Sequence, residues 1–276
     1  FPSTPEEAFI TSGDRVFDMY FKLSSEVPEG TIVYEPPKQY TPYILGADPA
    51  GGGESGDYSA MCVLDVTDPS RPKMVMSYYD RASPLVFARM IRTVALKYKC
   101  LTVVERNNYG LPVLEWLNEN SKGELNLYLE TTVGKTGNKV KESLGFWTGE
   151  KSRSLLYATV IDFISSGRFV VNDLRMQHEI NHLIWKGGRP THDTGYHDDM
   201  LVCFGLALMG MQQSGNDHRQ NLIFKAKPRG LDQIVQWQSA TGKKVADHDG
   251  DFEGGEDDYL DWDEDADTLG DSVLGI

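Results

Sequence analysis

Short apolar runs in the first half of the chain predict the strands of a β-sheet. Runs at residues 43–47, 59–67 and 73–80 are separated by turns that contain Gly, Pro and Asp, and two more runs follow at 101–104 and 125–129. Three consecutive strands joined by short turns, followed by strands that alternate with helices, are typical of a mixed sheet. We therefore predict an α/β fold in which helices cover both faces of one mixed sheet.

The helices are predicted from longer stretches in which apolar residues recur every three or four positions. The clearest begins at Ser83-Pro84, because Ser is a favourable N-cap and Pro suits the first position of a helix. Residues 168–171 are predicted to form a short strand, residues 131–144 a loop, and residues 187–195 a loop or small hairpin. The predicted helices span residues 84–98, 111–120, 151–165, 174–185 and 198–211.

A carboxylate stands at the end of the first predicted strand. Asp48 is followed by Pro49, Ala50 and three glycines, which cannot continue a strand. A charge at the end of a buried strand must be paired or must bind a metal ion. The alternative is an Asx turn, in which Asp48 hydrogen-bonds its own loop.

Two further acidic positions follow the same rule. Glu105 ends the apolar run at 101–104, and Asp198 and Asp199 open an apolar helix. Sites in open α/β sheets form at the carboxyl ends of strands, so a helix N-terminus at that edge would bring these acids together. Crowded carboxylates repel one another, and a divalent cation that prefers hard oxygen ligands, Mg²⁺ or Mn²⁺, would relieve that repulsion.

Each acid also has an ordinary structural explanation. Glu105 could pair with Arg106 or Lys99, and Asp198 and Asp199 could cap their helix and interact favourably with its dipole. Each explanation is reasonable for one acid, but all of them would have to be true at once. One shared metal site is therefore the favoured hypothesis. Carboxylates that hold one or two Mg²⁺ or Mn²⁺ ions suit phosphodiester hydrolysis, in which one ion activates water and the other stabilises the leaving oxygen.

The charge of the chain is concentrated near its C-terminal end. The net charge is −14, yet 13 of the 41 acidic residues lie between residues 247 and 271, where no Lys or Arg occurs. The rest of the chain has 28 acidic and 27 basic residues, so it is close to neutral. We predict that the acidic tail is disordered in isolation. It could be a plain solvated end, a nucleic-acid mimic that occupies a basic groove, or a segment that folds on a partner.

Cysteine usage and hydropathy restrict the class of protein. Cys62, Cys100 and Cys203 are scattered, which predicts reduced core residues of a cytosolic protein rather than a disulfide framework. No apolar run approaches the length of a membrane span, and the first residues, FPSTPEEAF, do not form a signal peptide. The missing initial Met predicts a processed or excised fragment.

Three short motifs that contain the acids occur in order along the chain. The first is GADPA at residues 46–50 with DYS at 57–59, the second is VERNNYG at 104–110, and the third is GYHDDM at 195–200. With these motifs the chain, over residues 1–213, resembles the nuclease domain of the large terminase subunit of tailed bacteriophages and herpesviruses. That domain is a member of the RNase H-like superfamily.

The resemblance implies a metal-dependent endonuclease that cuts concatemeric viral DNA when genome packaging begins and ends. It implies an RNase H-like fold with a central mixed five-stranded sheet in the order 3-2-1-4-5, with the strands numbered along the chain. It implies that Asp48, Glu105 and Asp198 or Asp199 are catalytic ligands of Mg²⁺ or Mn²⁺. Asp57 is a candidate ligand of a second metal ion or a neighbour of the ligands.

The resemblance also divides the chain and predicts its partners. Residues 1–40 would be a lead-in segment from an ATPase domain outside this sequence, residues 41–213 the nuclease domain, and residues 214–276 an extension with the acidic tail. The expected partners are double-stranded DNA, the portal protein, the small terminase subunit and the ATPase domain of the same full-length protein, with no membrane. The expected location is the host cell cytoplasm at the portal vertex of the procapsid, where the tail would dock on the portal.

Basic residues after the fifth predicted strand are candidates for contacts with DNA. Such contacts would go to phosphates, which position the substrate without reading its sequence. The alternative is an ordinary solvated loop. The candidates are Lys135, Lys139, Lys141, Lys151 and Arg153.

A helix motif supports a competing hypothesis. His178, Glu179 and His182 form the H-E-x-x-H pattern of zinc proteases, in which the two His bind Zn²⁺ and the Glu is the general base. A third zinc ligand would have to come from elsewhere, with His192 and His197 as the nearest options. A third hypothesis is a catalytically inactive RNase H-like module used for docking, against which the intact set of acids argues.

Overall fold

Six strands form the central sheet of the computed structural model, which describes residues 15–23, 27–53, 57–133 and 140–216. Their order across the sheet is β1-β4-β3-β2-β5-β6. The first four of these are antiparallel neighbours, whereas β2, β5 and β6 run parallel. The predicted mixed sheet is confirmed, with its five predicted strands in the predicted order. The strands are β1 (Gly30–Val33), β2 (Tyr43–Asp48), β3 (Ser59–Asp65), β4 (Lys73–Asp80), β5 (Leu101–Val104) and β6 (Asn126–Leu127).

The edge strand β1 corrects the predicted strand count from five to six. It pairs antiparallel with β4, from Gly30 opposite Tyr79 to Val33 opposite Met76. The lead-in segment predicted over residues 1–40 therefore contributes a strand to the sheet. The run at residues 31–34 is strand-like in the sequence, but all four residues of β1 are half-buried, so no alternation of buried and exposed positions assigns it to the sheet.

Two small hairpins lie outside the main sheet; one replaces a predicted loop, and the other agrees with the hairpin alternative at 187–195 but begins earlier, inside the predicted helix. The predicted loop at 131–144 contains strand residues of β7 (Leu129–Val133) and β8 (Val140–Leu144), and β9 (Leu183–Lys186) pairs with β10 (Arg189–His192). The helix predicted to reach residue 185 ends earlier because β9 also bonds the N-terminal segment, where the N–H of Val16 donates to the carbonyl of Leu183. Residues 168–171 form no strand.

Five helices within the described residues cover the two faces of the sheet. On one face Leu45 packs with Phe87 and Leu114, and on the other face Ile44 packs with Leu156 and Phe204. Successive residues of β2 thus point to opposite faces, as they must in a strand that is buried on both sides. The helices are α1 (Pro84–Tyr98), α2 (Gly110–Asn120), α3 (Glu150–Ser165), α4 (Leu174–His182) and α5 (Asp199–Asn216).

None of the helices in the described part of the chain is long and apolar enough to cross a membrane.

Helix α5 lies directly against β2 because a glycine leaves room for it. A Cβ atom at Gly46 would stand 2.0 Å from the carbonyl oxygen of Cys203 and 2.8 Å from the backbone nitrogen of Ala207. No side chain fits at that spacing, so the backbone of the helix rests on the backbone of the strand. This contact fixes where the N-terminus of α5 meets the sheet edge.

A buried ion pair joins β1 and β4 to α4. Arg175 is 1% exposed and its Nη2 lies 2.9 Å from Oδ2 of Asp173, while its Nη1 donates to the carbonyl of Gly30 at 2.8 Å. The hydroxyls of Ser77 and Tyr34 donate to Asp173 at 2.6 and 2.8 Å. Both buried charges are therefore paired and hydrogen-bonded, as burial of charge requires.

Candidate active site

Asp48 and Glu105 lie side by side at the carboxyl edge of the sheet. β2 and β5 are parallel, and the backbone N–H of Glu105 donates to the carbonyl of Ala47 at 2.9 Å. Burial and then the neighbouring Glu105 carboxyl raise the pKa of Asp48 well above its usual range. Two carboxylates this close repel each other when both are ionised, so the edge of the sheet favours a group that carries positive charge.

The N-terminus of α5 brings a second pair of acids to the same edge. Asp198 directly precedes α5 and Asp199 is its first residue. The charges of both contribute to the raised pKa of Asp48, so all four carboxyl groups interact. The packing of α5 on Gly46 is what places this helix end beside the end of β2.

Asp198 is held by two side chains of α3. Its Oδ2 accepts a hydrogen bond from Nη2 of Arg153 at 3.0 Å and another from the hydroxyl of Tyr157. Tyr157 is buried, and burial together with the charge of Asp198 raises the pKa of its hydroxyl well above the usual range. The phenol therefore remains a donor, and Asp198 is fixed as an acceptor beside a positive charge.

Asp199 carries a buried oxygen that has no hydrogen-bond partner among the described residues. Burial raises the pKa of this carboxyl to about 8, with further contributions from the charges of Asp198 and Asp57. The buried oxygen is Oδ2, and Nδ1 of His197 lies 3.9 Å from it. A buried, unpaired carboxylate oxygen is costly unless a cation or a proton occupies it. Asp57 itself is exposed, on the loop before β3.

A second loop orients Glu105. The hydroxyl of Thr148 donates to Oε1 of Glu105. Asn107 and Thr148 are joined by two further bonds, in which the Asn107 amide donates to the Thr148 carbonyl at 2.7 Å and its oxygen accepts the Thr148 N–H at 3.2 Å. This clamp positions the carboxylate from outside the cluster of acids. Thr148 lies in no motif, and only its place in three dimensions identifies it.

The pairing, turn and capping explanations of the acids do not hold in the structure, although Asp199 does lie in the first turn of α5, where the helix dipole favours it. Arg106 pairs with Glu130 at 2.8 Å and not with Glu105. The N–H of Ala50, which an Asx turn at Asp48 would use, donates instead to Oγ of Ser59 at 3.0 Å. The first N–H groups of α5 donate to a residue of another helix and not to the side chains of Asp198 or Asp199.

That residue is Glu179, the glutamate of the H-E-x-x-H pattern. Its two carboxylate oxygens accept the backbone N–H groups of Met200 and Leu201 at 2.9 and 2.8 Å, and the side chain is buried. Burial and the charge of Asp199 raise the pKa of Glu179 well above its usual range, and the two N–H bonds oppose that rise. Glu179 caps α5 and cannot serve as the general base of a zinc protease.

The two histidines of the pattern lie on another side of α4. The ring of His182 stacks on Tyr196, with centroids 3.6 Å apart, and its Nδ1 bonds the carbonyl of His178 at 2.8 Å. The rings of His178 and His182 are 4.6 Å apart. The two histidines therefore pack against Tyr196, whereas Glu179 bonds the start of α5. The three residues of the pattern do not form one site.

The predicted DNA-contacting residues have different surroundings. Lys135 and Lys139 lie outside the described residues, and of Lys141 only the backbone, in β8, is described. Lys151 is exposed on α3. Arg153, two positions further on, is partly exposed and pairs with Asp198, so its positive charge lies beside the acidic cluster.

The donor set of the cluster suits a hard divalent cation. Carboxylate oxygens are the ligands that Mg²⁺ and Mn²⁺ prefer. The Asp199 oxygen that lacks a partner among the described residues, and the mutual repulsion of Asp48 and Glu105, mark places that a cation would fill. Among the described residues no group of three or more His, Cys, Asp or Glu already stands at coordinating positions. Two of the carboxylates already bond protein groups, since Glu105 accepts from Thr148 and Asp198 accepts from Arg153.

No protein-family model matches the chain, whereas solved structures do. The large terminase nuclease from thermophilic phage G20c is 18% identical over 71% of this chain and 98% of its own, with a TM-score of 0.47. The same nuclease with bound zinc is 17% identical over 73% of this chain and 98% of its own, with a TM-score of 0.48. The human cytomegalovirus terminase nuclease domain is 13% identical over 66% of this chain and 86% of its own, with a TM-score of 0.43. Over most of its length the chain is thus similar to nuclease domains of phage and herpesvirus terminases.

Proposed function

We propose that this chain is a Mg²⁺- or Mn²⁺-dependent endonuclease that cuts concatemeric viral DNA during genome packaging. The observation that carries the proposal is the meeting of Asp48, Glu105, Asp198 and Asp199 at one sheet edge, with a buried Asp199 oxygen that lacks a partner among the described residues. These acids stand in the three motifs that resemble the large terminase nuclease. A cluster of hard oxygen donors at an open edge suits phosphodiester hydrolysis.

Asp48, Glu105 and Asp199 would hold the metal, with Asp198 or Asp57 as further candidates. The bound ion or ions would activate water and stabilise the leaving oxygen. Thr148 keeps Glu105 oriented, and Glu179 keeps the first turn of α5 in place under Asp199.

Arg153 supplies positive charge to the site. Its guanidinium bonds Asp198 and interacts with the charges of Glu105 and Asp48. A cation in this position reduces the repulsion between the acids and an incoming phosphate, and it can bond a phosphate oxygen through donors that Asp198 does not use. Asp198 and Tyr157 hold it there.

The wider biological setting is part of the proposal. The substrate would be double-stranded DNA, and the chain would act with an ATPase domain of the same protein, the small terminase subunit and the portal protein. The corresponding location is the host cytoplasm at the procapsid. The acidic residues 247–271 would dock on the portal.

Cleavage of supercoiled plasmid tests the proposal directly. The chain should produce nicked and linear DNA in Mg²⁺ or Mn²⁺ with little sequence preference, and EDTA should abolish cutting. Asp48→Asn should also abolish cutting, whereas Asp162→Asn, an exposed aspartate on the same α3 that carries Arg153, should cut normally. Equal cutting in EDTA would rule out metal dependence. DNA binding without any cutting would favour the inactive docking module.

A further inference from the structure

Two tyrosines and an arginine form a column beside the acidic edge. The rings of Tyr58 and Tyr79 are nearly parallel, with centroids 4.2 Å apart and an interplanar angle of 10°. The guanidinium carbon of Arg81 lies over the Tyr58 ring, 4.4 Å from its centroid. Since Tyr79 covers one face of Tyr58, Arg81 covers the other.

Contacts outside the column hold its members in place. The hydroxyl of Tyr58 donates to Oε1 of Glu29 at 2.9 Å, and Tyr79 is buried in β4. The carbonyl of Arg81 accepts the N–H of Gly53 at 3.2 Å, so its backbone is tied to the glycine loop that follows β2. An arginine restrained in this way loses less rotamer freedom when it binds an anion than a fully mobile one does.

The column borders the second pair of acids. Asp48 lies opposite Ala60, and Ala60 lies opposite Tyr79, so the column stands at the same edge of the sheet as the acids. The ring of His197 meets Tyr58 edge-on, with centroids 5.9 Å apart, and its Nδ1 is 3.9 Å from Oδ2 of Asp199. Arg81 therefore stands on the rim of the site, on the side of β3 and β4.

A stacked guanidinium is well suited to this position. The ring of Tyr58 contacts the planar face of the guanidinium, whose N–H donors lie around its edge, so donors that other partners do not use can bond the oxygens of a phosphate. DNA that approaches a cluster of carboxylates is repelled, and a fixed positive charge at the rim offsets that repulsion.

We propose that Arg81, held on the ring of Tyr58, binds a backbone phosphate of the DNA strand that the acidic site cuts. The inference rests on the proposed endonuclease function and adds to it a residue that positions the substrate. The contact is to phosphate, so it increases affinity without selecting sequence.

Arg81→Gln is the main test, with Arg89→Gln, an exposed arginine of α1, as a matched control. Single-turnover cutting of a fluorescent duplex in Mn²⁺ should show a roughly tenfold higher enzyme concentration at half-maximal rate for Arg81→Gln, with the maximal rate nearly unchanged. Between about 50 and 200 mM salt, the slope of log affinity against log salt should become shallower by about 0.9, as expected when one phosphate is no longer neutralised. Arg89→Gln should match the wild type in both measurements.

Two further variants separate binding from packing. Tyr58→Leu removes the ring but keeps the Arg81 charge, so affinity should fall while the salt slope stays at the wild-type value. Arg81→Lys should lie between wild type and Arg81→Gln. An Arg81→Gln protein with wild-type affinity and slope overturns the proposal. So does a fall in affinity that leaves the salt slope unchanged and accompanies a lowered melting temperature, because that pattern belongs to a structural role.

Binding measured in EDTA distinguishes this proposal from the endonuclease proposal. Fluorescence anisotropy of the labelled duplex needs no cutting, so it reports the Arg81 contact even for an inactive protein. If the wild type binds but never cuts, the endonuclease proposal fails and the Arg81 contact is still measured. If the wild type cuts and Arg81→Gln binds as tightly, only the Arg81 proposal is wrong.

Discussion

The guanidinium of Arg153 donates a hydrogen bond to the carboxylate of Asp198, with Nη2 3.0 Å from Oδ2. This bond links α3 to the N-terminus of α5 and puts a positive charge among the acids of the cluster. We expect Arg153→Gln to lower the maximal rate of plasmid cutting by about 10- to 100-fold, since a charged hydrogen bond contributes about 1.5–3 kcal/mol.

Arg168→Gln is the matched control for that change. Arg168 follows the other end of α3, where it pairs with exposed Asp162, so its replacement should leave the rate unaltered. Arg153→Lys should retain part of the activity because the charge remains. A wild-type rate in Arg153→Gln would contradict the role given to this residue.

Replacement of Glu179 tests the capping of α5. In Glu179→Gln one of the two N–H groups, of Met200 or Leu201, faces an amide NH₂ instead of an oxygen, which should lower the free energy of unfolding by about 1–3 kcal/mol. Urea unfolding measures this decrease, and cutting should fall because Asp199 is on the same turn.

His178→Ala provides the comparison for Glu179. Under the zinc-protease hypothesis it would remove bound zinc and a peptidase activity. We expect instead that its plasmid cutting equals that of the wild type, since the imidazole packs near His182 and Tyr196 and not on the acids. Zinc bound in equimolar amount, and absent from His178→Ala, would revive the protease hypothesis.

Gly46→Ala should destabilise the protein and disable the site together. The added methyl would stand 2.0 Å from the Cys203 carbonyl, so α5 must move away from β2. Overpacking in a core costs about 1–3 kcal/mol, and a backbone contact should reach the upper end of that range. Gly187→Ala, in an open turn at a φ of 59°, should cost only about 1 kcal/mol and leave cutting intact. Thermal melting and plasmid cutting of both variants give the comparison.

The acid cluster predicts a stability that falls as pH rises. The pKa of Asp199 is raised in the folded state to about 8 from its ordinary value of 3.8, so the folded protein binds more protons than the unfolded chain between these values. In EDTA the melting temperature should therefore decrease from about pH 5 to pH 8. Mn²⁺ should counter the decrease most at the high end, where carboxylates are free to bind it.

Asp199→Asn is the control for the pH effect. It removes the titrating group but keeps its size, so the decrease in EDTA should become smaller and the Mn²⁺ effect weaker. A melting temperature that rises steadily with pH in the wild type would contradict the raised pKa.

The strands of the main sheet and the meeting of the acids followed from apolar runs that end on acidic residues, whereas the strand order followed from the family resemblance. Each such run forms a strand because its residues are buried on both faces, and the glycine-rich turn after Asp48 leaves the sheet edge open. The edge strand β1 was left out of the predicted sheet because its four residues are only half-buried, and the hairpin of β7 and β8 was predicted as a loop. A short, half-exposed strand leaves a weak pattern in the sequence.

The residues that support the acids were hidden for a different reason. Thr148 and Tyr157 reach Glu105 and Asp198 from sequence distances of 43 and 41 residues, so no local spacing predicts the contacts. Glu179 was noticed through a pattern that gave it another role. Its bonds to α5 depend on the angle between two helices, and this is a tertiary property that the pattern does not contain.

The buried pair of Arg175 and Asp173 has a mechanical consequence. Arg175 bonds the carbonyl of Gly30 and Asp173 accepts the hydroxyl of Tyr34, so both ends of β1 are attached to the start of α4. The ladder bonds between β1 and β4 run across the strands, and a pull along β1 would shear all of them at once instead of unzipping them singly. Tension that enters through residues 27–34 would thus pass into α4, and from Glu179 into the helix end that carries Asp199.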